Sequence, residues 1–335
     1  MSTLLIHAGT HKTATTLIQE TLGHNRARLK AGGLVYPTIG HAAGHHLLAS
    51  EWLSHLAPYH DDRPAAEHWQ RLLARHAGGT ATVLLSSEEF SRGGPERVDM
   101  AALGAYASAF GTRRIVFVLR NQLAYIQSLY LEMQRQLRLP AVHAYVKQCL
   151  KGGHASGMFL DYGALYDHAL AVFQPEEVRL LSYEALAAAG PDMTTAFLDA
   201  LGLRPPGVAI EPLPADRGNV SPDPLSAWAA NRVSAPRVAQ PALVALATEA
   251  FAEEFGAEAR STLFTAGEAA AIRECFEPAN RALEARYRAI DPTFALAPVA
   301  LRDGLVQRDR IPETFWLRIA RRLHAVDAER WSAEA

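Results

Sequence analysis

Short apolar runs alternate along much of the chain with longer segments in which apolar residues recur every three or four positions. The runs are typical of buried β-strands, and the longer segments are typical of helices with one apolar face. The predicted strands are "TLLIHAG" (3–9), "ATVLLSSEEF" (81–90), "RRIVFVLR" (113–120) and "EVRLLSY" (177–183), and "GLVYP" is either a further short strand or an extended segment. Strand and helix alternate four times. This order predicts an α/β fold, a three-layer sandwich whose central, mostly parallel sheet is flanked by helices.

The first predicted helix runs from about Ala14 to Lys30, with Leu17, Ile18 and Leu22 on its apolar side. The glycines of "AGG" then end it. Further helices are predicted in "MAALGAYASAF", "NQLAYIQSLYLEMQRQL", "DYGALYDHALAVF" and "MTTAFLDALGL", and loops with helices are predicted over residues 38–78.

The chain becomes rich in proline after residue 205, and from about Leu225 onward it has helical spacing. No composition shift marks a linker between these parts. We therefore expect a single domain over residues 1–335, with an α/β core over 1–222 and a mainly helical extension over 223–335.

Composition places the protein among ordinary globular chains. Of 335 residues, 49% are hydrophobic and 20% are charged, and the formal net charge is -2. This balance gives no reason to expect a nucleic-acid partner. The two cysteines, Cys149 and Cys275, form no metal-binding or disulfide pattern, which favours a reducing cytoplasm. No apolar run is long enough to span a membrane, and the N-terminus lacks the pattern of a signal peptide.

The stretch "HAGTHKTATT" (7–16) joins the first predicted strand to the first predicted helix. Such a junction binds anions, because the first backbone N–H groups of the helix have no internal partner and its dipole is positive there. Aligned on Gly9, the nucleotide-binding pattern GxxxxGK[ST] would require lysine where Thr15 stands, and Lys12 lies three positions earlier. The loop is therefore suited to one terminal phosphate with a cation beside its leaving group. The alternative is a loop that only caps the helix.

The segment "HKTATT" resembles the phosphosulfate-binding loop of sulfotransferases, whose usual form is close to Lys-Ser/Thr-Gly-Thr-Thr. Members of that family use 3′-phosphoadenosine 5′-phosphosulfate (PAPS) and need no metal. The resemblance implies a P-loop-type fold in which this segment holds the donor. The residues implied are Gly9, His11, Lys12, Thr13, Ala14, Thr15 and Thr16. Ala14 replaces the usual glycine, and alanine is compatible with this position if its φ is negative.

The same family binds the 3′-phosphate through an arginine that ends a strand, with a serine eight residues later and a tyrosine two beyond. "LRNQLAYIQSLY" provides Arg120, Ser128 and Tyr130 at that spacing. Arginine suits this role because its planar fork binds phosphate with two hydrogen bonds. The alternative is an arginine in a surface ion pair and a serine without a special role.

A late loop covers the adenosine in that family, and "DRGNVSP" is the candidate here, through Arg217 and Gly218. An ordinary turn is the competing interpretation.

Lys12 is the predicted partner of the leaving oxygen, and a general base must take the acceptor's proton. In sulfotransferases that act on carbohydrates, a glutamate just after the second long strand has this role, which implies Glu88, with Glu89 as the second choice. Many small-molecule sulfotransferases use histidine instead. Histidines between the first helix and this strand include His41, His45, His46, His55, His60 and His68. The aromatic residues of this region, Trp52, Tyr59 and Trp69, are expected in the core more than against an acceptor.

The last segment, "PETFWLRIARRLHAV", predicts a helix with Phe315 and Ile319 on one face and several arginines between. Packing of this face on the protein is preferred over contact with a membrane surface.

The sequence thus predicts a PAPS-dependent sulfotransferase without a metal, acting on a hydroxyl or amine of a carbohydrate or small metabolite. The alternatives are a degenerate P-loop kinase or NTPase, and an inactive nucleotide-binding module. The acceptor and the oligomeric state stay open.

Overall fold

The computed structural model of the protein describes residues 1–137, 139–190, 192–213 and 222–334, with the backbone alone for 327–334.

A five-stranded sheet forms the centre of the fold, and every pairing in it is parallel. The strands are β1 (Thr3–His7), β2 (Leu34–Val35), β3 (Thr82–Ser86), β4 (Thr112–Leu119), β5 (His154–Ala155), β6 (Met158–Phe159), β7 (Val178–Ser182), β8 (Ser261–Thr262) and β9 (Val306–Gln307). The central sheet has the order β2-β3-β1-β4-β7, while β5 with β6 and β8 with β9 form separate pairs. The predicted parallel α/β architecture is confirmed, and "GLVYP" contains a strand.

Helices connect these strands and make up most of the chain after residue 222. The α-helices are α1 (Thr15–His24), α2 (Arg26–Ala31), α3 (His46–Ala49), α4 (Ala65–His76), α5 (Met100–Ala107), α6 (Gln122–Gln134), α7 (Val142–Gly152), α8 (Tyr162–Leu170), α9 (Tyr183–Ala188), α10 (Met193–Ala200), α11 (Pro224–Val233), α12 (Pro241–Phe255), α13 (Ala266–Tyr287) and α14 (Glu313–Glu334). Single 3₁₀ turns cover Ser54–Tyr59, Glu88–Ser91, Pro175–Glu177 and Arg308–Arg310.

The register of the sheet aligns the end of β1 with the end of β3, and β4 continues three residues beyond them. His7 at the end of β1 pairs with Ser86 of β3 on one side and with Val116 of β4 on the other. Because parallel strands point the same way, the segments that follow them leave from one edge, where open α/β sheets bind ligands. This carboxyl edge carries the loop after β1 and the turn after β3.

Side chains of several elements fill one side of the sheet. Leu5, Val116 and Val118 of the sheet pack with Ile18 of α1 and Phe197 of α10, and all of these are buried. The apolar strands are covered by helices here, as their unbroken hydrophobic pattern requires.

The chain divides into two compact units. The first contains Met1–Asn121, Gly152–Arg217 and Phe276–Pro298, and the second contains Gln122–Lys151, Gly218–Cys275 and Val299–Ala335. The first holds the whole central sheet. The second is mainly helical, with α11 against α12 and α6, and with α12 against α14. The division into a core over 1–222 and an extension over 223–335 stays a prediction.

The segment expected as one helix over 14–30 is two helices, α1 and α2, separated at Asn25. The Asn25 side-chain amide donates to the carbonyls of Thr21 and Glu211, and its oxygen accepts from the Glu211 N–H. These tertiary bonds fix Asn25 outside helical geometry. The apolar face differs as well, since Leu17 is 45% exposed.

The predicted packing of the C-terminal helix is confirmed within the second unit. Phe315 and Ile319 of α14 are buried, and α14 packs along α12. Arg318 and Arg322 form ion pairs with Glu253 and other glutamates of α12.

None of the described helices is long and apolar enough to cross a membrane.

Candidate functional site

The loop after β1 is tied to β4 before it reaches α1. The N–H groups of Ala8 and Thr10 donate to carbonyls of Val116 and Val118 at 2.8 and 2.9 Å. The Thr10 hydroxyl also donates to the Val118 carbonyl, and the buried Thr13 hydroxyl donates to the Thr10 carbonyl at 2.5 Å. The Thr13 hydroxyl is therefore engaged inside the loop, and what Thr13 offers an anion is its backbone N–H.

Three residues of this loop have left-handed backbone geometry. Gly9, Lys12 and Ala14 have φ values of 73°, 59° and 61°. The condition under which alanine fits this position, a negative φ at Ala14, is therefore not met. The chain must turn from β1 into α1 within a few residues, and Ala14 is the residue that immediately precedes the helix. Left-handed geometry costs an alanine about 1 kcal/mol or more, which glycine avoids.

Replacement of Ala14 by glycine is expected to stabilise the protein. Relief of the left-handed strain, about 1–2 kcal/mol, exceeds the loss of the partly buried methyl group, roughly 0.5 kcal/mol. The net gain of about 1 kcal/mol corresponds to a rise in Tm of about 1–2 °C for a chain of this size. Differential scanning calorimetry measures it. The matched control is Ala74→Gly in the interior of α4, where the same change destabilises; a lowered Tm for Ala14→Gly would contradict the argument.

Glu88 lies directly against the loop. A Cβ placed on Gly9 would lie 2.7 Å from the Cβ of Glu88 and 3.3 Å from a methyl carbon of Thr15. Glycine is therefore required at position 9 both by its φ and by this close approach. The contact places the Glu88 backbone at the first residues of the phosphate loop.

The segment after β3 differs from its prediction. The strand ends at Ser86, and Glu88–Ser91 form a 3₁₀ turn whose start is capped by the Ser87 hydroxyl, which accepts from the Glu89 N–H. The two glutamates therefore belong to a turn, where the alternation of strand side chains does not apply. They nevertheless have different surroundings.

The carboxylate of Glu88 is held from α1 and surrounded by histidines. The Gln19 side-chain amide donates to its Oε2 at 2.8 Å. Burial alone would raise the pKa of Glu88, but the nearby His46 and His11 and the bond from Gln19 outweigh burial and lower the pKa. Glu88 is therefore ionised at neutral pH and able to accept a proton.

Glu89 is enclosed by three hydrogen-bond donors. Its Oε1 lies 3.0 Å from His11 Nε2, and its Oε2 lies 3.1 Å from His55 Nε2 and 2.7 Å from Arg92 Nε. Against the effect of burial, the bonds and charges of His11 and Arg92 hold the pKa of Glu89 far below its ordinary value. A carboxylate so strongly paired is a poor proton acceptor, so the surroundings favour Glu88 over Glu89 as the base.

Two further histidines brace the ends of β1 and β3. His45 Nδ1 accepts from the Ser86 N–H, so its Nε2 carries the proton and donates to the Pro37 carbonyl. His7 Nδ1 lies 2.9 Å from the Ser86 hydroxyl. Burial lowers the pKa of each imidazole to about 4, with smaller contributions from neighbouring charges and, for His45, backbone bonds. These two histidines are structural and neutral.

His46 and Tyr59 form the aromatic side of the Glu88 surroundings. His46 Nδ1 is 2.8 Å from the Ser87 hydroxyl, and its ring lies 4.7 Å from the ring of Tyr59. Burial, together with the charges of Glu88 and Glu89, raises the pKa of Tyr59. Sequence reasoning did not single out Gln19. Its signal was available, since Gln19 follows Thr15 by four positions and so shares a helix face with the loop.

The other residues of this region have structural roles. Trp69 is buried, stacks on Tyr106 with ring centres 4.7 Å apart and donates to the Leu48 carbonyl, which confirms the core interpretation for this tryptophan. His68 pairs with Asp61 at 2.9 Å. Trp52 is partly exposed, and His41 and His60 are exposed.

Arg120 follows β4 and reaches the same loop. Its Nη1 donates to the Lys12 carbonyl at 2.6 Å, and its guanidinium lies 4.8 Å from the centre of the Tyr183 ring. The buried Nε of Arg120 has no hydrogen-bond partner among the residues that the structure describes. A buried guanidinium N–H of this kind is suited to an anion.

The other described members of the predicted 3′-phosphate site belong to the second unit. Ser128 and Tyr130 lie on α6 in the second unit, and the Tyr130 hydroxyl donates to the Pro140 carbonyl. The pairing of Arg120 with Ser128 stays a prediction. Arg217 and Gly218 lie outside the described residues.

The described side chains of His, Cys, Asp and Glu include no group of three placed to hold a metal ion.

No protein-family model matches the sequence, and the comparison with curated proteins finds no match. Solved structures with a similar fold include a sulfotransferase from Alicyclobacillus acidocaldarius, with a TM-score of 0.39, 16% identity, and coverage of 67% of this chain and 90% of that one. The sulfotransferase domain of the olefin synthase from Synechococcus PCC 7002 has a TM-score of 0.35, 15% identity, and coverage of 75% and 94%.

Proposed function

We propose that this protein is a sulfotransferase that moves a sulfuryl group from PAPS to a hydroxyl or amine acceptor. The observation that carries the proposal is the close approach of the Glu88 Cα and Cβ to Gly9, which places an acidic residue beside the first residues of the loop after β1. A terminal phosphate in that loop would have a cation from Lys12 and a base from Glu88 near it. These are the two groups that sulfuryl transfer needs.

The loop fits a terminal phosphosulfate for three reasons. It leads into the N-terminus of α1, whose first turn contains no acidic residue. Its left-handed residues curve the backbone so that successive N–H groups can face one anion. Arg120 adds a buried guanidinium N–H beside the Lys12 carbonyl. The residues expected to hold the donor are Gly9, His11, Lys12, Thr13, Ala14, Thr15, Thr16 and Arg120.

In the reaction, the bond between sulfur and the bridging phosphate oxygen breaks while a new bond forms from sulfur to the acceptor oxygen. Lys12 neutralises the charge that develops on the leaving phosphate. Glu88 takes the proton of the acceptor, and its ionised state at neutral pH suits this role. Gln19 holds one carboxylate oxygen and so fixes the direction of the other. Adenosine 3′,5′-bisphosphate is the product.

The residues at the carboxyl edge of the central sheet give less support to a kinase. Magnesium-dependent nucleotide enzymes hold the metal with a hydroxyl that follows the loop lysine and with an aspartate after a strand. Here Lys12 precedes the helix by three residues, and β3 and β4 are followed by glutamates and by Arg120. His46 and Tyr59 next to Glu88 suit a small-molecule or carbohydrate acceptor. The cytoplasmic location stays a prediction.

Adenosine 3′,5′-bisphosphate without Mg²⁺ is expected to raise the Tm, because it binds the folded state alone. At about one hundred times its Kd, the gain is roughly 2.7 kcal/mol, or about 3–4 °C for a chain of this length. Thermal denaturation by fluorescence measures it. The variant Lys12→Ala should reduce the shift, while Lys30→Ala, an exposed lysine on α2, should leave it unchanged.

Transfer itself is tested by mass spectrometry with PAPS and a panel of alcohols, sugars and amines, where a sulfuryl group adds about 80 mass units by its atomic composition. A Tm shift with ATP and Mg²⁺, and none with the bisphosphate, would support the kinase alternative. Binding of the bisphosphate without transfer to any class of acceptor would support an inactive binding module.

A further inference from the structure

Three side chains from three segments of the first unit meet at the carboxylate of Glu89. We call Glu89, His11, His55 and Arg92 the Glu89 cluster. His11 belongs to the phosphate loop, His55 to the 3₁₀ turn Ser54–Tyr59, and Arg92 to the segment after Glu88–Ser91. The exposed fraction of the Glu89 side chain is only 12%, so its bonds are shielded from water.

The cluster extends to the β5–β6 hairpin. Arg92 Nη1 donates to the Ser156 carbonyl at 3.3 Å, and the Gly93 N–H donates to the Gly157 carbonyl at 2.8 Å. Added to Gly157, a Cβ would lie 2.1 Å from the Gly94 carbonyl oxygen. The turn that carries both glutamates is thus fastened to a second backbone segment, and it gives Glu89 a fixed position.

The loop between β1 and α1, which we call the phosphate loop, needs contacts that hold its conformation. Lys12 and Ala14 both have the left-handed geometry that side chains disfavour, so an unrestrained loop would adopt other conformations. Two side-chain bonds hold the loop near Lys12 from outside: Arg120 binds the Lys12 carbonyl, and Glu89 binds the side chain of the preceding His11.

We propose that Glu89 is a positioning residue, which holds the strained phosphate loop in its binding conformation through His11 and leaves the base function to Glu88. This inference rests on the proposed function, because it concerns the affinity for the same nucleotide. The carboxylate is well suited to the task because it accepts from His11, His55 and Arg92 at once. An amide in its place has one acceptor oxygen and would direct an N–H at one of these donors.

The test measures the Kd for adenosine 3′,5′-bisphosphate by calorimetry, and kcat at saturating PAPS with an acceptor from the panel. Glu89→Gln is expected to raise Kd about tenfold while kcat falls less than threefold, since the loop reaches the same conformation once filled. The second substitution Ala14→Gly, which relieves the strain, should recover at least half of the lost affinity on a logarithmic scale.

Glu96→Gln is the matched control. Glu96 accepts from the Ser54 N–H and hydroxyl and lies 3.9 Å from His55, but it is half exposed and its described bonds do not include His11. The Kd of the Glu96→Gln variant for adenosine 3′,5′-bisphosphate should equal that of the parent protein. His11→Ala removes the same hydrogen bond between His11 and Glu89 by deleting the imidazole. This variant tests the positioning role if Glu89→Gln does not fold.

An unchanged Kd for the bisphosphate in Glu89→Gln or in His11→Ala would overturn the positioning role. A fall in kcat of a hundredfold or more in Glu89→Gln, with Kd intact, would also overturn it, because it would assign proton transfer to Glu89. Failure of the parent protein to bind the bisphosphate would instead refute the proposed function. The two failures are therefore distinguishable.

Discussion

Glu88→Gln is expected to lower the rate of sulfuryl transfer about a thousandfold, within the range that a general base contributes, and to leave the Kd for adenosine 3′,5′-bisphosphate within about twofold. The glutamine keeps the shape of the side chain, and its carbonyl can still accept from the Gln19 amide. The variant lacks the negative charge that takes the acceptor's proton. The loss should therefore appear in kcat, because nucleotide binding depends on the loop itself.

The control for this substitution is Glu67→Gln. Glu67 lies on α4 and pairs only with Arg63 and Arg71 among the described side chains. Surface pairs of this kind contribute little to stability or to a distant site. A transfer rate within twofold of the parent in Glu88→Gln would contradict the assignment of the base. A loss of nucleotide binding in that variant would show that Glu88 shapes the loop.

Four strands of the central sheet, β1, β3, β4 and β7, could be predicted because each contains consecutive buried residues that form a short apolar run. β4 is the best example, with Ile115, Val116 and Phe117 all buried. The break at Asn25 could not be predicted in the same way. It depends on bonds to Glu211, which is distant in sequence, and a helical pattern contains no information about that partner.

The candidate site was predictable in its residue types and only partly in its geometry. The loop and the glutamates follow strands that were predicted to be parallel, so their meeting at one edge was expected. The left-handed φ of Ala14 results from closing the loop between β1 and α1, and local preference alone favoured the opposite sign. The different surroundings of Glu88 and Glu89 depend on Gln19, His55 and Arg92, which lie outside the turn Glu88–Ser91.

Acidification between pH 8 and pH 5 is expected to destabilise the protein through His7 and His45. Burial lowers the pKa of each from 6.5 to about 4. A histidine whose pKa is lower in the folded state contributes stability that is complete above pH 6.5 and is lost as the pH falls toward 4. At about 1.4 kcal/mol per pKa unit, each contributes roughly 3 kcal/mol in full, of which about 2 kcal/mol is lost by pH 5.

The combined loss of about 4 kcal/mol at pH 5 is a large part of the stability of a typical domain, and it should lower the Tm by about 5 °C or more. Calorimetry at half-unit pH steps measures it. His45→Asn keeps an acceptor near the Ser86 N–H but cannot titrate, so it should be less stable at pH 8 and should lose less stability on acidification.

The exposed His60 provides the control, since His60→Asn should leave the pH dependence unchanged. The carboxylates of Glu88 and Glu89 act in a different window. Their pKa values are lowered, so their contribution is present above pH 4.5 and is lost only below it. A Tm that is constant from pH 8 to pH 5 and falls only below pH 4.5 would therefore assign the acid sensitivity to the glutamates. It would refute the neutral, structural role of the two histidines.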